Sequence, residues 1–100
     1  MNKDIQEKLK TFFDSKPEII LAMIYGSYAR GTETETSDVD IAVAMSEVMN
    51  LDARLNLQLE LSILLKKEID LVDINKIKGL IHYKVFTEGL CIKKNENEGR

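Results

Sequence analysis

The apolar run Ile19-Ile20-Leu21-Ala22-Met23-Ile24-Tyr25 is short, rich in β-formers and cut off by Gly26-Ser27, so it predicts a buried strand that delivers the chain into a tight turn. Beyond the turn come Tyr28-Ala29-Arg30-Gly31, the polar stretch Thr32-Glu33-Thr34-Glu35-Thr36, and a second strand pattern, Ser37-Asp38-Val39-Asp40-Ile41-Ala42-Val43. Glycine has no Cβ to hold a ligand away, and the amides that open the helical turn after it point at whatever anion sits there. Ser27 can add a hydroxyl. Arg30, three residues on and on the same side of one helical turn, can add a planar cationic fork. A triphosphate fits that set of donors.

Alternation along the second strand places Asp38 and Asp40 on one face, about 7 Å apart along the chain, with Val39, Ile41 and Val43 on the other. Carboxylates at that spacing can lean together on divalent ions about 3.5–4 Å apart, the separation used for in-line phosphoryl displacement. Oxygen ligands without histidine or cysteine favour Mg²⁺, or Mn²⁺, over zinc. A third acid is expected in Glu68-Ile69-Asp70-Leu71-Val72-Asp73-Ile74, a further short strand. Alternation sends Asp70 and Asp73 to opposite faces. Asp70 is the better candidate, because it sits just inside the strand start, as Asp38 and Asp40 do. Three clustered carboxylates without a cation repel one another and raise their pKa values. A Gly-Ser turn alone, or Asp-x-Asp alone, is ordinarily a loop or a solvated strand edge; together and in this order they predict a phosphate-and-metal site.

Gly26-Ser27-x-Ala29-Arg30-Gly31 followed by Ser37-Asp38-x-Asp40 resembles the signature of the nucleotidyltransferase superfamily related to DNA polymerase β. The small size, the Ala-Arg-Gly ending and Ile69-Asp70-Leu71-Val72-Asp73 most resemble the minimal nucleotidyltransferase domains paired with HEPN-type proteins in bacterial and archaeal toxin–antitoxin systems. The likeness covers nearly the whole chain, since Gly79 to Gly89 resembles the terminal helix of that family, closing in Glu-Gly. It implies an α+β fold with a small mixed sheet, Mg²⁺-dependent use of ATP or another nucleoside triphosphate, and transfer of a nucleoside monophosphate to a hydroxyl. Carried over by position, Gly26 and Ser27 would hold the triphosphate and Arg30 would touch its outer phosphates. Asp38, Asp40 and Asp70 would hold metal, with two ions expected.

A hundred residues, 44% of them apolar, suit one modest core, read as a domain over 1–92 with a polar, disordered tail over 93–100. No apolar run reaches membrane-spanning length and no signal-peptide pattern opens the chain, which predicts a cytoplasmic protein. The net charge of −3 argues against a broad nucleic-acid surface. Ile5, Leu9, Phe12 and Phe13 predict an amphipathic first helix capped by Asn2 and ended before Pro17. Leu51 to Lys67 reads as a helix opening near Asn50, its wide apolar arc expected to be sandwiched between the sheet and another helix, the alternative being that part of it meets a partner. A last helix over Lys76 to Thr87 is expected to send Ile77, Leu80, Ile81 and Val85 into the core. His82 reads as structural or exposed. Gly89 is expected to end the helix, Leu90-Cys91-Ile92 to add an edge strand, and Cys91 to be a buried small apolar residue.

After the third carboxylate only a helix and a short strand remain, so the acceptor is expected to bring its own grip. A hydroxyl on a HEPN-type toxin meets that need, with this chain as the antitoxin that modifies it. The alternatives are a small-molecule nucleotidyltransferase resembling the aminoglycoside-modifying members, or an antitoxin that acts by binding alone.

Overall fold

The computed structural model describes residues 3–95. Helix α1 (Lys3–Asp14) leads through a turn to strand β1 (Ile19–Tyr25), the single-turn helix α2 (Ser27–Arg30) and strand β2 (Val39–Met45). Helix α3 (Leu51–Leu65), strand β3 (Ile69–Asp73), helix α4 (Gly79–Glu88) and strand β4 (Leu90–Lys94) complete the chain. The strands form one sheet in the order β3-β2-β1-β4, with β2 and β3 parallel and the other two pairings antiparallel. A parallel neighbour needs a crossover, which α3 supplies. The fold is therefore α+β with a small mixed sheet, as expected.

One face of the sheet is closed by α1 and α3. Ile24, Val39, Ile41, Val43, Ile69 and Leu71 meet Leu9, Phe13, Leu57 and Leu61 in the main core. The other face carries Met23, Tyr25, Ala42 and Ala44 and is covered in part by Val85 of α4. The alternation read from Asp38 to Val43 thus has its apolar half in the main core. Its acidic half lies on the thinly covered face.

Asn50 caps α3 as expected, accepting a hydrogen bond on Oδ1 from the Ala53 amide at 2.8 Å. Asn50→Ala should lower stability by about 1 kcal/mol, read as a lower urea midpoint with unchanged m-value, because it orphans one first-turn amide. The cap proposed for α1, Asn2, lies outside the described residues.

Four expectations change. Leu57, Leu61 and Leu65 pack on the sheet, but Leu51, Leu55, Leu59 and Ile63 recur every four residues on the opposite, exposed side. The arc was wide because α3 carries two apolar stripes, and among the described residues no helix lies over the second. Helix α4 starts at Gly79 rather than Lys76 and buries only Val85; Leu80 is 66% exposed and Ile81 46%. Cys91 is exposed: it sits on the edge strand β4 and pairs with Met23 on the thinly covered face of the sheet. Lys93, expected in the tail, lies in β4, and its Nζ donates to the carbonyls of Phe13 and Lys16 at 2.9 Å each. The cation adds a charged second donor to carbonyls that the Lys16 and Ile19 amides already engage in the turn after α1, and so ties β4 past Ile92 to that turn. Residues 96–100 of the expected tail lie outside the described residues.

Candidate active site

Strand β1 ends where Gly26 adopts φ 72° and ψ −149°, a conformation that is essentially glycine's own. The tight turn has a second cause. A Cβ on Gly26 would overlap Asp40 Oδ2, so the absence of a side chain is what lets β1 pass beside that carboxylate. From this turn α2 places Ser27 and Arg30 on the same rim, and Gly31 closes it in the left-handed conformation. The loop back to β2 is shaped by its own hydroxyls: Thr34 N donates to Ser37 Oγ at 2.8 Å, and Ser37 N to the Thr34 carbonyl at 3.1 Å. Asp38 then stands one residue ahead of β2, and Asp40 is the strand's second residue.

The third acid is placed by register. Asp40 pairs directly with Asp70 across the parallel β2–β3 ladder and with Tyr25 across the antiparallel β1–β2 ladder. Gly26, Ser27, Arg30, Asp38, Asp40 and Asp70 therefore share the lining of one open cavity of about 400 Å³, the size range of small-ligand sites. Asp73 is elsewhere. It is buried on the opposite side of β3, where its Oδ1 accepts from the Asn75 amide at 2.9 Å and turns the chain out of the strand. It borders a different cavity with Met49, Arg54 and Lys76.

The electrostatics follow from the crowding. The Asp40 carboxyl is pushed up to about 6 from 3.8 by burial first, then by the charges of Asp70 and Asp38 and a hydrogen bond with Asp70; Arg30 opposes this. A proton held between two carboxyls in this way occupies a place where a cation would be favourable, so the donor set fits a divalent ion. Among the described residues no three acids close into a ready-made cage. That suits Mg²⁺, which keeps few protein carboxylates and completes its shell with water and phosphate oxygens. Tyr25 is held neutral, its phenol pushed up to about 12 by burial and then by Asp40 and Asp70.

Four lining residues were not singled out from the sequence: Tyr25, Ser37, Ile81 and Lys84. Tyr25 precedes the motif and Ser37 belongs to it, though neither was given a role in the site. Ile81 and Lys84, three apart on α4, share a helix face, but spacing alone does not say that this face turns to the acids.

Residues 7–98 match the model of the family described as Polymerase beta, Nucleotidyltransferase. This chain belongs to that family. Among similar proteins is the protein adenylyltransferase MntA of Shewanella oneidensis, 33% identical over 81 residues, which are 81% of this chain and 58% of that protein. This chain thus spans little more than half of that relative's length. In structure it resembles a chain of a toxin–antitoxin complex crystallised with AMP-PNP, with TM-score 0.79 and 30% identity, covering 93% of this chain and 76% of the other. It also resembles a chain of the tri-AMPylated Shewanella oneidensis HEPN toxin in complex with MNT antitoxin, with TM-score 0.75 and 25% identity, covering 98% and 76%. No helix among the described residues is long and apolar enough to cross a membrane.

Proposed function

We propose that this chain is a Mg²⁺-dependent adenylyltransferase that moves AMP from ATP to a hydroxyl of a HEPN-type toxin, and that it acts as the antitoxin of that protein. The observation that carries the reading is the register Asp40↔Asp70, which sets two carboxylates side by side, with Asp38 near them, in a cavity whose other rim is Gly26, Ser27 and Arg30. Kinship to MntA and likeness to antitoxin complexes support the choice of nucleotide and acceptor.

Asp38, Asp40 and Asp70 would hold the divalent ions, which when bound neutralise phosphate charge and lower the pKa of an acceptor hydroxyl. Asp70 is exposed on the edge strand β3, so a hydroxyl arriving from solvent can reach it and pass it a proton. The acceptor oxygen bonds to the α-phosphorus as the bond from that phosphorus to the β-bridging oxygen breaks, and pyrophosphate leaves. Gly26 and Ser27, through backbone amides and a hydroxyl, and Arg30, through its guanidinium, are placed to receive that charge. Tyr25, neutral and largely buried below the acids, limits the water that reaches Asp40 from the core side.

The test mixes the purified chain with the HEPN-type protein encoded beside it, ATP and Mg²⁺. The neighbour should gain one or more AMP masses, about 329 Da each, and lose toxicity. Suppressed toxicity without modification, retained when the three aspartates are replaced, would make binding alone the better reading. Labelling confined to small alcohols or aminoglycosides would make this a small-molecule enzyme.

A further inference from the structure

The cavity has a wall that the motif does not supply. Helix α4 presents Ile81, Lys84 and Glu88 at i, i+3 and i+7, one face of the helix, and that face turns toward the motif. Ile81 and Lys84 line the cavity with the three acids, and Glu88 Oε1 accepts a hydrogen bond from Arg30 Nη1 at 2.8 Å. We propose that Lys84 is a second phosphate-binding residue of this site and that Glu88 is the positioning residue that sets the Arg30 guanidinium. The proposal rests on the nucleotidyl-transfer reading of the cavity.

The charges of the lining lead to it. Arg30 and Lys84 are the two basic residues of the lining, facing Asp38, Asp40 and Asp70. Arg30 already gives part of its fork to Glu88. The ammonium of Lys84 has no ion-pair partner among the described residues. A triphosphate whose inner phosphates lie over the acids must send its outer oxygens toward the uncompensated cation, and a lysine on a flexible stem can follow them. Arginine is different. Its planar fork binds two oxygens only when its orientation is set, and Glu88 sets it by holding one edge while leaving the rest of the fork free.

The Arg30–Glu88 pair is a weak stabiliser of the fold, since the two side chains are 48% and 31% exposed and solvent screens such pairs. Its geometry is nonetheless firm. Val85 is fully buried against the sheet, and Gly89 sits so close to the Val85 carbonyl and the Met23 side chain that a Cβ would strike both. Glu88 lies between those two anchors, so its backbone is held at a fixed place relative to the end of β1, from which α2 carries Arg30.

Equilibrium binding of ATP, AMP and inorganic tripolyphosphate to the intact chain in Mg²⁺ tests this without any acceptor. Lys84→Gln should weaken ATP and tripolyphosphate about 10-fold or more and AMP by less than about 2-fold, the scale for losing one charged contact to the outer phosphates. Lys84→Arg should recover most of the loss. Glu88→Gln should weaken ATP about 3- to 10-fold without moving the thermal midpoint, and that effect should vanish in an Arg30→Met background, because Glu88 acts through Arg30. Wild-type binding of ATP with Lys84→Gln unchanged would overturn the assignment of Lys84 alone. An undiminished Glu88→Gln effect in the Arg30→Met background would overturn the assignment of Glu88. A wild-type chain that binds neither ATP nor tripolyphosphate would overturn both, and the nucleotidyl-transfer reading with them.

Discussion

Asp40→Asn should abolish AMP transfer and, in the free chain at neutral pH, raise the melting temperature. The first effect is the loss of a metal ligand and should exceed about 100-fold in the rate of label transfer from α-labelled ATP. The second follows from the raised pKa of about 6. A carboxyl whose folded pKa lies above its unfolded value of 3.8 binds its proton more tightly in the folded state, so its stabilising contribution is full below about pH 4 and falls as pH rises through about 6. Above that window the wild type carries an ionised carboxylate that burial, Asp70 and Asp38 all disfavour, whereas asparagine carries none. Melts at pH 5 and pH 8 should show the gap between mutant and wild type widening with pH, and Mg²⁺ should narrow it by neutralising the wild-type site. Asp70→Asn should lose transfer comparably. Asp73→Asn should keep transfer within about 3-fold, since the amide oxygen can still accept from Asn75. Full activity in Asp70→Asn together with loss in Asp73→Asn would mean that the β2–β3 register is wrong.

The parts of this fold legible in the sequence are those decided by near neighbours along the chain. The strand into Gly26, the Asn50 cap, the alternation of Asp38 to Val43 and the opposition of Asp70 to Asp73 all depend on backbone geometry over a few residues, which the residue types dictate. The misreadings concern what covers a surface. Leu51, Leu55, Leu59 and Ile63 show a helical period that says they share a side of α3, but period says nothing of whether another element lies over that side. Leu80 and Cys91 failed for the same reason: α4 touches the sheet through a single fully buried residue, and β4 is an edge. The site divides likewise. Its motif half was readable because Gly26, Ser27, Arg30, Asp38 and Asp40 are close in sequence, whereas Ile81 and Lys84 reach the cavity, and Glu88 reaches Arg30, through the docking of α4 on β1.

Gly26→Ala should leave a folded chain that transfers AMP at least about 100-fold more slowly, because its two consequences fall on different parts of the molecule. The backbone at φ 72° and ψ −149° is costly for any residue with a Cβ, by about 1–3 kcal/mol, and this is a cost to stability. The collision is with Asp40 Oδ2, the far end of a side chain, so the Tyr25↔Asp40 strand pairing can persist while the carboxylate swings aside. A displaced carboxylate no longer converges with Asp70, and losing one metal ligand is a cost to the reaction. Gly31→Ala separates the two effects. Gly31 also has positive φ, at 76°, yet nothing lies within 4 Å of its would-be Cβ, so alanine there should lower stability by about 1–2 kcal/mol and leave transfer within about 3-fold. If Gly31→Ala slows transfer as much as Gly26→Ala does, backbone strain in the turn is the cause. If only Gly26→Ala does so, and it also loses the rise in melting temperature that Mg²⁺ gives the wild type, then glycine is required here because Asp40 needs the space.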